Sequence, residues 1–284
     1  MTAAARIRLG LIGDNIAASR SPDLHRIAGR LCGLDVGYEL LIPREQEMDF
    51  ETLFRSCADG SWRGVNVTYP YKEVAAAMVD IRDPLVRRIG AVNTVVFEDA
   101  GPAGHNTDHS GFIAAWRERF GKTPPGTVAI IGAGGVGRAI AFALAALGAT
   151  ELRLVDLDGA KAARLAVDLQ GATPGAAAGW PDTAAAARDA DGIVNCTPLG
   201  MAGHPGSPVA RAALGRQRWA FDAVYTPVET RFGADAQAAG LAFMSGYELY
   251  FHQGVQAFRI FTGMTPPDFA LLRQRLQAAD ANTA

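Results

Sequence analysis

Residues 127–139 read TVAIIGAGGVGRA: a short apolar run with strand character, then Gly132, Gly134 and Gly137 spaced G-x-G-x-x-G, then the uninterrupted helical pattern AIAFALAAL. Each glycine has a mechanical reason. The first makes a tight turn, the second lets the backbone approach a pyrophosphate, and the third lets helix and strand pack closely. The helix N-terminus then faces the anion. Gly148 stops the helix, ELRLV reads as a second strand, and Asp156 stands at its end, about twenty residues on, where a ribose-binding acid belongs. Other glycine loops fit less well. No Lys-Ser or Lys-Thr follows, as in a P-loop, and no V-A-I-K strand follows, as in a kinase. This stretch predicts a dinucleotide-binding α/β domain.

The chain around it is long enough for a second domain. With 284 residues, 49% of them hydrophobic, it can bury two substantial cores. A formal net charge of −2 gives no electrostatic case for nucleic acid or an anionic membrane surface. The apolar runs are broken well short of the ~18 residues a spanning helix needs, and the first residues lack the apolar core of a signal peptide. A cytoplasmic protein without membrane or nucleic-acid partners is therefore expected. Cys32, Cys57 and Cys196 are odd in number and far apart, which argues against a disulfide framework and against cysteine-ligated zinc.

Before the glycine loop, RIRLGLI (6–12), YELLI (38–42), WRGVNVT (62–68) and AVNTVVF (91–97) read as strands separated by helical patterns. Ser21 with Pro22 reads as a helix cap and first turn, and the helix runs through Cys32. Residues 48–57 have helical spacing. Alternation of this kind predicts a largely parallel sheet. Thr107 or Asp108 reads as the cap of the helix HSGFIAAWRERF, and GKTPPG follows as a linker. The expected domains are 1–121, completed by C-terminal helices over 252–284 that pack back on it, and 122–251. In the second, GIVNCTP, RWAFDAVYTP and LAFMSG supply three more strands whose polar or proline-containing ends lie where open α/β sheets bind ligands.

Polar clusters suggest where chemistry resides. Asn66 and Thr68 lie two apart in a strand, so they share a face, and Lys72 follows just after Pro70. An equally simple reading makes them a strand end and a solvated helix start. Asp108 places a carboxylate near a helix N-terminus, where capping and catalysis are compatible. His105 and His109 are spaced i, i+4 but straddle a loop and a helix start without the Glu of H-E-x-x-H, so no metal site is expected. Ser19 and Ser21 suit turn or cap roles, and their hydroxyls could equally serve a carboxylate ligand.

Together, SRSP (19–22), NVTYPYK (66–72), GAVNT (90–94), GHNTD (104–108), GAGGVGRA (132–139), NCTPLGM (195–201), DAVYTP (222–227) and HQGVQAF (252–258) resemble, in order, the shikimate dehydrogenase family, including its quinate/shikimate branch. The resemblance implies an N-terminal α/β substrate domain, a C-terminal Rossmann domain, and reversible hydride transfer between a nicotinamide cofactor and a ring hydroxyl of shikimate, with quinate a second substrate. By position it makes Lys72 and Asp108 catalytic. Ser19, Ser21, Asn66, Thr68, Asn93, Tyr225 and Gln253 would bind a hydroxylated cyclic carboxylate. Gly132, Gly134, Gly135, Val136, Gly137, Asp156, Asp158, Thr197, Val224 and Gly246 would hold the cofactor. A homodimer is compatible with this reading.

Two departures from the family pattern are informative. NADP-using members carry N-R-T after the second Rossmann strand, where this chain has Asp156, Leu157 and Asp158. The phosphate-clamping arginine is absent and a carboxylate faces the ribose, so NAD is favoured, with Lys161 leaving room for weaker NADP use. Asn15 and Ala18 replace the Pro and His common before SRSP. The alternatives are an NADP-linked biosynthetic enzyme, an aminoshikimate dehydrogenase, or a non-enzymatic metabolite sensor, which would have no need of both Lys72 and Asp108.

Overall fold

The computed structural model describes residues 6–177, 180 and 182–281. Met1–Ala5 of the expected first domain and the last three residues of the expected C-terminal helical segment lie outside the described residues. The chain divides into two compact units, Met1–Thr107 with Gln253–Ala284, and Asp108–His252.

The first unit runs β1 (Ile7–Ile12), α1 (Ser21–Leu31), β2 (Val36–Leu41), α2 (Phe50–Cys57), β3 (Gly64–Val67), α3 (Lys72–Ala76), α4 (Pro84–Ile89), β4 (Thr94–Glu98) and β5 (Gly101–His105). These strands form one sheet in the order β2-β1-β3-β4-β5. β1 pairs in parallel with β2 and β3, but β3–β4 and β4–β5 are antiparallel, so the sheet is mixed rather than largely parallel. The reason is β5. Its sequence GPAGH carries no strand signal, yet it returns directly from β4, pairing Val96 with Ala103 and Val95 with Gly104. On one side of the sheet Ile12, Phe50, Leu53, Phe54, Trp62, Val65, Val67 and Val95 form a buried cluster. Asp49 caps α2 by accepting from the Thr52 amide at 2.7 Å.

The start of α1 departs from expectation. Ser21 is its first residue, not its cap; Arg20 stands at the cap position and makes no side-chain cap bond. Ser19 Oγ instead accepts from the Ser21 amide at 3.3 Å, because a serine two residues back can close the same turn.

α5 (Thr107–Phe120) leads into the second unit: β6 (Thr127–Ile131), α6 (Gly135–Ala146), β7 (Glu151–Val155), α7 (Gly159–Asp168), β8 (Gly175–Ala177), α8 (Thr183–Ala187), β9 (Gly192–Asn195), β10 (Trp219–Asp222), α9 (Arg231–Ala238), β11 (Ala242–Met244) and α10 (Gly246–Thr262). The sheet order is β11-β10-β9-β6-β7-β8, with every pairing parallel, as the doubly wound nucleotide fold requires. α6 is apolar almost all round, and its residues Ala139–Ala145 are buried, so it is held by packing rather than by an amphipathic face. Thr107 and Asp108 are the first residues of α5 rather than caps before it. The Thr107 amide is satisfied from a distance, donating to Asn93 Oδ1 at 2.8 Å.

After α10 crosses into the first unit, α11 (Phe269–Ala281) completes it. Both C-terminal segments pack back as expected: Arg20 donates to the Leu276 carbonyl at 2.9 Å, Arg63 donates to the Phe261 carbonyl at 2.9 Å, and the His25 ring lies 5.8 Å from that of Phe261. Among the described residues no helix is long and apolar enough to cross a membrane. Cys32, Cys57 and Cys196 are free thiols.

Candidate functional site

In the second unit the glycine loop is shaped by contact. Gly132 has φ +99°, outside the range most side chains adopt, and an added Cβ would lie 2.8 Å from the Cys196 carbonyl group. A Cβ on Gly137 would collide with the Gly132 carbonyl, so helix and turn meet as the motif demands. Gly134 caps α6, and Gly135 and Val136 open it. The adjacent strands β6 and β9 have their connections on opposite sides, and the loops after them, at Gly132 and at Cys196–Thr197, flank this switch point.

Asp156 braces the loop it was expected to serve. Its Oδ2 accepts from the Ala133 amide at 2.7 Å and its Oδ1 from the Asp158 amide at 2.8 Å. Asp158 caps α7, accepting from the Ala160 amide at 3.0 Å. Leu157 between them is fully exposed.

The loops after β9 and β10 are held by two residues that sequence reasoning left without a role. Asn195 Nδ2 donates to Asp222 Oδ1 at 2.9 Å and to the Leu199 carbonyl at 3.0 Å, while its Oδ1 accepts from the amide and hydroxyl of Thr197 at 2.9 and 2.7 Å. Asp222 also accepts from the Val224 amide at 3.0 Å and the Thr230 hydroxyl at 2.6 Å. Burial pushes its carboxyl up to about 6, although these donors pull the other way. Thr197 and Val224 are thus positioned by one buried amide–carboxylate pair. A Cβ on Gly246 would come within 2.6–2.7 Å of the Asp222, Ala223 and Val224 carbonyls, so the start of α10 packs directly on this loop. Tyr225 stacks on Tyr250 with centroids 4.8 Å apart. Asp108, at the first turn of α5, is buried.

In the first unit, three of the expected amides belong to one buried lattice. Asn66 Nδ2 donates to the Asn93 carbonyl at 3.1 Å and to Thr94 Oγ1 at 3.0 Å, and Asn66 Oδ1 accepts from the Tyr38 hydroxyl at 2.8 Å. Asn93 Nδ2 lies 3.0 Å from Thr107 Oγ1, which is 3.4 Å from Gln253 Oε1. Tyr38, Thr94 and Thr107 are buried members that the sequence did not single out, since only the fold brings strands β2, β3 and β4 against the start of α5.

Lys72 begins α3 and is 8% exposed, unusual for an amine. Its carbonyl accepts from the Val92 amide at 2.9 Å, fixing the NVTYPYK turn to the GAVNT segment that carries Asn93. Thr68 is half-buried at the end of β3, and its amide donates to the Ile12 carbonyl at 2.9 Å. Ser19 and Ser21 pair through their hydroxyls at 3.2 Å. Tyr71, between Thr68 and Lys72, stacks on Phe50 and donates to Asp14 Oδ1 at 2.6 Å. Burial and that carboxylate push its phenol up to about 12.

Residues 11–95 match the family model for the shikimate dehydrogenase substrate binding domain. The chain is 38% identical over 269 residues to a quinate/shikimate dehydrogenase (NAD(+)) of Corynebacterium efficiens, covering 92% of this chain and 94% of that one. It is 41% identical over 271 residues to a shikimate dehydrogenase (NADP(+)) of Streptomyces avermitilis, with 93% of each covered. The structure of quinate dehydrogenase from Corynebacterium glutamicum in complex with NAD superimposes with a TM-score of 0.83 at 34% identity, over 96% of this chain and 100% of that one. With its glycine loop, two sheets and motif order all accounted for, the chain belongs to the shikimate dehydrogenase family.

Proposed function

We propose that this protein is a nicotinamide-dependent dehydrogenase that reversibly oxidises a ring hydroxyl of shikimate, and of quinate as a second substrate, with NAD preferred over NADP. The observation that carries the reading is Lys72: a nearly buried amine whose backbone is bonded to the segment bearing Asn93, within the unit that holds the Asn66–Asn93–Thr107–Gln253 lattice. Two readings are bland, a solvated lysine and a sensor without chemistry. The first is hard to reconcile with that burial, and the second gives it no purpose.

Residues 1–121 with 252–284 then serve as the substrate-binding part, and 122–251 as the cofactor-binding part. Bound nicotinamide supplies the hydride acceptor. The protein supplies a base: Lys72 Nζ takes the hydroxyl proton as the carbon is oxidised, and returns it in the reverse direction. Asp108 accepts a hydrogen bond from a ring hydroxyl and orients it. Asn66, Thr68, Asn93, Tyr225 and Gln253 read the remaining hydroxyl pattern, and the Ser19 and Ser21 hydroxyls donate to the ring carboxylate. Gly132–Gly137 receive the pyrophosphate, and Thr197, Val224 and Gly246 shape the rest of the cofactor pocket. Asp156 binds the adenosine ribose hydroxyls, and the absence of a cation at Leu157 leaves a ribose phosphate unpaired.

The test is formation of reduced nicotinamide, followed by absorbance, with shikimate, quinate and aminoshikimate, each with NAD and NADP. Turnover of shikimate with NAD above NADP is the expected result. No turnover of any of the three with either cofactor overturns the assignment, and turnover of shikimate without quinate removes the dual-substrate part.

A further inference from the structure

Lys72 heads a helix of only five residues, α3, which is too short to hold its own geometry. Its placement depends on what grips the two sides of its first turn. On one side the Val92 amide donates to the Lys72 carbonyl. On the other stands Tyr71, which occupies the cap position yet makes no side-chain cap bond. Its ring lies flat on Phe50, with centroids 4.5 Å apart and 8° between the planes, and its hydroxyl donates to Asp14 Oδ1 at 2.6 Å. Phe50 belongs to the buried cluster beside the sheet, so the ring has a fixed floor as well as an anchored tip.

Asp14 lies in the loop between β1 and α1, the loop that delivers Ser19 and Ser21. The start of this loop is pressed against the turn before Lys72. The Thr68 amide donates to the Ile12 carbonyl at 2.9 Å, the Asp14 amide donates to the Tyr69 carbonyl at 3.2 Å, and a Cβ on Gly13 would collide with Thr68 Cγ2. Two residues beyond Asp14, Ile16 is buried, and its carbonyl accepts from the Ser19 amide at 2.8 Å. A short run of fixed contacts thus leads from the turn of Lys72 to the serines.

We infer that the Tyr71–Asp14 bond sets the spacing between the Lys72 amine and the Ser19–Ser21 hydroxyl pair, which makes Tyr71 and Asp14 positioning residues for the ring hydroxyl that is oxidised. The inference rests on the reading of Lys72 as the base and of the two serines as the carboxylate anchor. A ring acid held by its carboxylate presents to the base only the hydroxyl whose distance from that anchor fits, and a misplacement of about 1 Å costs on the order of a hundredfold in rate. Stacking on Phe50 would be served as well by phenylalanine. The hydroxyl adds nothing to the stack, and the bond it makes runs to the loop that carries the serines. Tyr71 is not itself the base: burial and the neighbouring Asp14 hold its phenol up at about 12, so it remains a donor through the neutral range.

The test is a double-mutant cycle on the full-length protein, read as kcat and KM for shikimate at a temperature where circular dichroism shows each variant folded. Tyr71→Phe keeps the stack and should lower kcat by roughly tenfold, Asp14→Ala should do the same, and the double variant should be no worse than either single. Asp14→Asn retains an oxygen that accepts from the phenol and should recover most of the turnover. Where Asp14→Ala does not fold, Tyr71→Phe and Asp14→Asn carry the test. Independently of turnover, Tyr71→Phe should speed hydrogen exchange at residues 15–19 as well as at 72–76. Native kcat and KM in folded Tyr71→Phe, single losses that multiply in the double variant, or faster exchange confined to 72–76 overturns the proposal. Lys72→Ala assayed in parallel separates the link from the base. Near-native turnover in that variant removes both, whereas a large loss there beside native kinetics in Tyr71→Phe removes the link alone.

Discussion

The hydroxyl of Tyr38 donates to the carboxamide oxygen of Asn66 at 2.8 Å, and both residues are buried. This bond fixes which end of the amide is which, since only the nitrogen can then donate to the Asn93 carbonyl and to Thr94. Tyr38 is itself held by the His25 ring, stacked at 4.6 Å. Tyr38→Phe keeps the stacking and frees the amide to turn. It should cost about 1–3 kcal/mol of stability, the usual consequence of leaving a buried acceptor unpaired. If Asn66 binds substrate as proposed, KM should rise more than kcat falls. Steady-state kinetics beside a denaturation curve separate the two effects, and a stability loss with unchanged KM would remove Asn66 from substrate recognition.

Lys72→Ala should lower kcat by about a hundredfold or more, the range associated with losing a general base, with a smaller change in KM. Asp108→Asn should lower turnover as well, because an amide is a poor substitute for a carboxylate acceptor toward the ring hydroxyl. Initial-rate measurements decide both. Near-native turnover in Lys72→Ala would take the amine out of the mechanism.

Cofactor choice can be tested with less disturbance than the motif alone suggests. Asp156 carries two loop bonds, from the Ala133 and Asp158 amides, and Asn could replace only one of its acceptor oxygens. Asp156→Asn should therefore cost roughly 1–3 kcal/mol in addition to any change in selectivity. Leu157→Arg leaves the brace intact and adds the missing cation. That single change should narrow the preference for NAD, and the double variant should narrow or reverse it at a lower thermal midpoint. Ratios of kcat/KM for the two cofactors provide the check; equal values in the native protein would defeat the argument.

Two buried groups give stability opposing pH dependences. Burial drives the His25 imidazole down to about 3, far below an exposed histidine. Below about pH 6.5 the unfolded chain binds a proton that the folded chain refuses, so the contribution of neutral His25, complete above that pH, is lost as pH falls toward 3, at up to about 1.4 kcal/mol per unit. Asp222 has the other sign. Its folded value of about 6 lies above the ordinary 3.8, so its contribution is complete below 3.8 and is lost as pH rises through 6. Between about pH 4 and 6 the slopes oppose. His25→Phe should flatten the loss on the acid side, and Asp222→Asn should steepen it. Denaturation at several pH values between 4 and 7 reads the slopes directly.

Elements with a strong local pattern were legible in the sequence. The glycine loop, α6 and the strands β6, β7, β9, β10 and β11 follow from apolar runs and turn residues within a few positions of each other, whereas β8, in an Ala- and Gly-rich stretch, carries no such pattern. Features set by distant partners were not. β5 has the composition of a loop and becomes a strand only because β4 offers it an edge. The start of α5 is satisfied by Asn93, which no local capping pattern could reveal. Asn195 and Asp222 were visible as letters in NCTPLGM and DAVYTP, but their bond to each other spans 27 positions and exists only because β9 and β10 are neighbours. The amide lattice around Asn66 was half legible, because Asn66 and Asn93 sit in motifs whereas Tyr38 sits in an ordinary strand.

Leu157 projects wholly into solvent between two aspartates that both have structural duties. Selection for a stable fold is nearly blind to such a position, since substitutions at an exposed site rarely change stability by more than about 0.5 kcal/mol. A lineage carrying this scaffold can therefore shift its coenzyme balance at position 157 with almost no cost to the fold, whereas any change at Asp156 must also give up a loop bond.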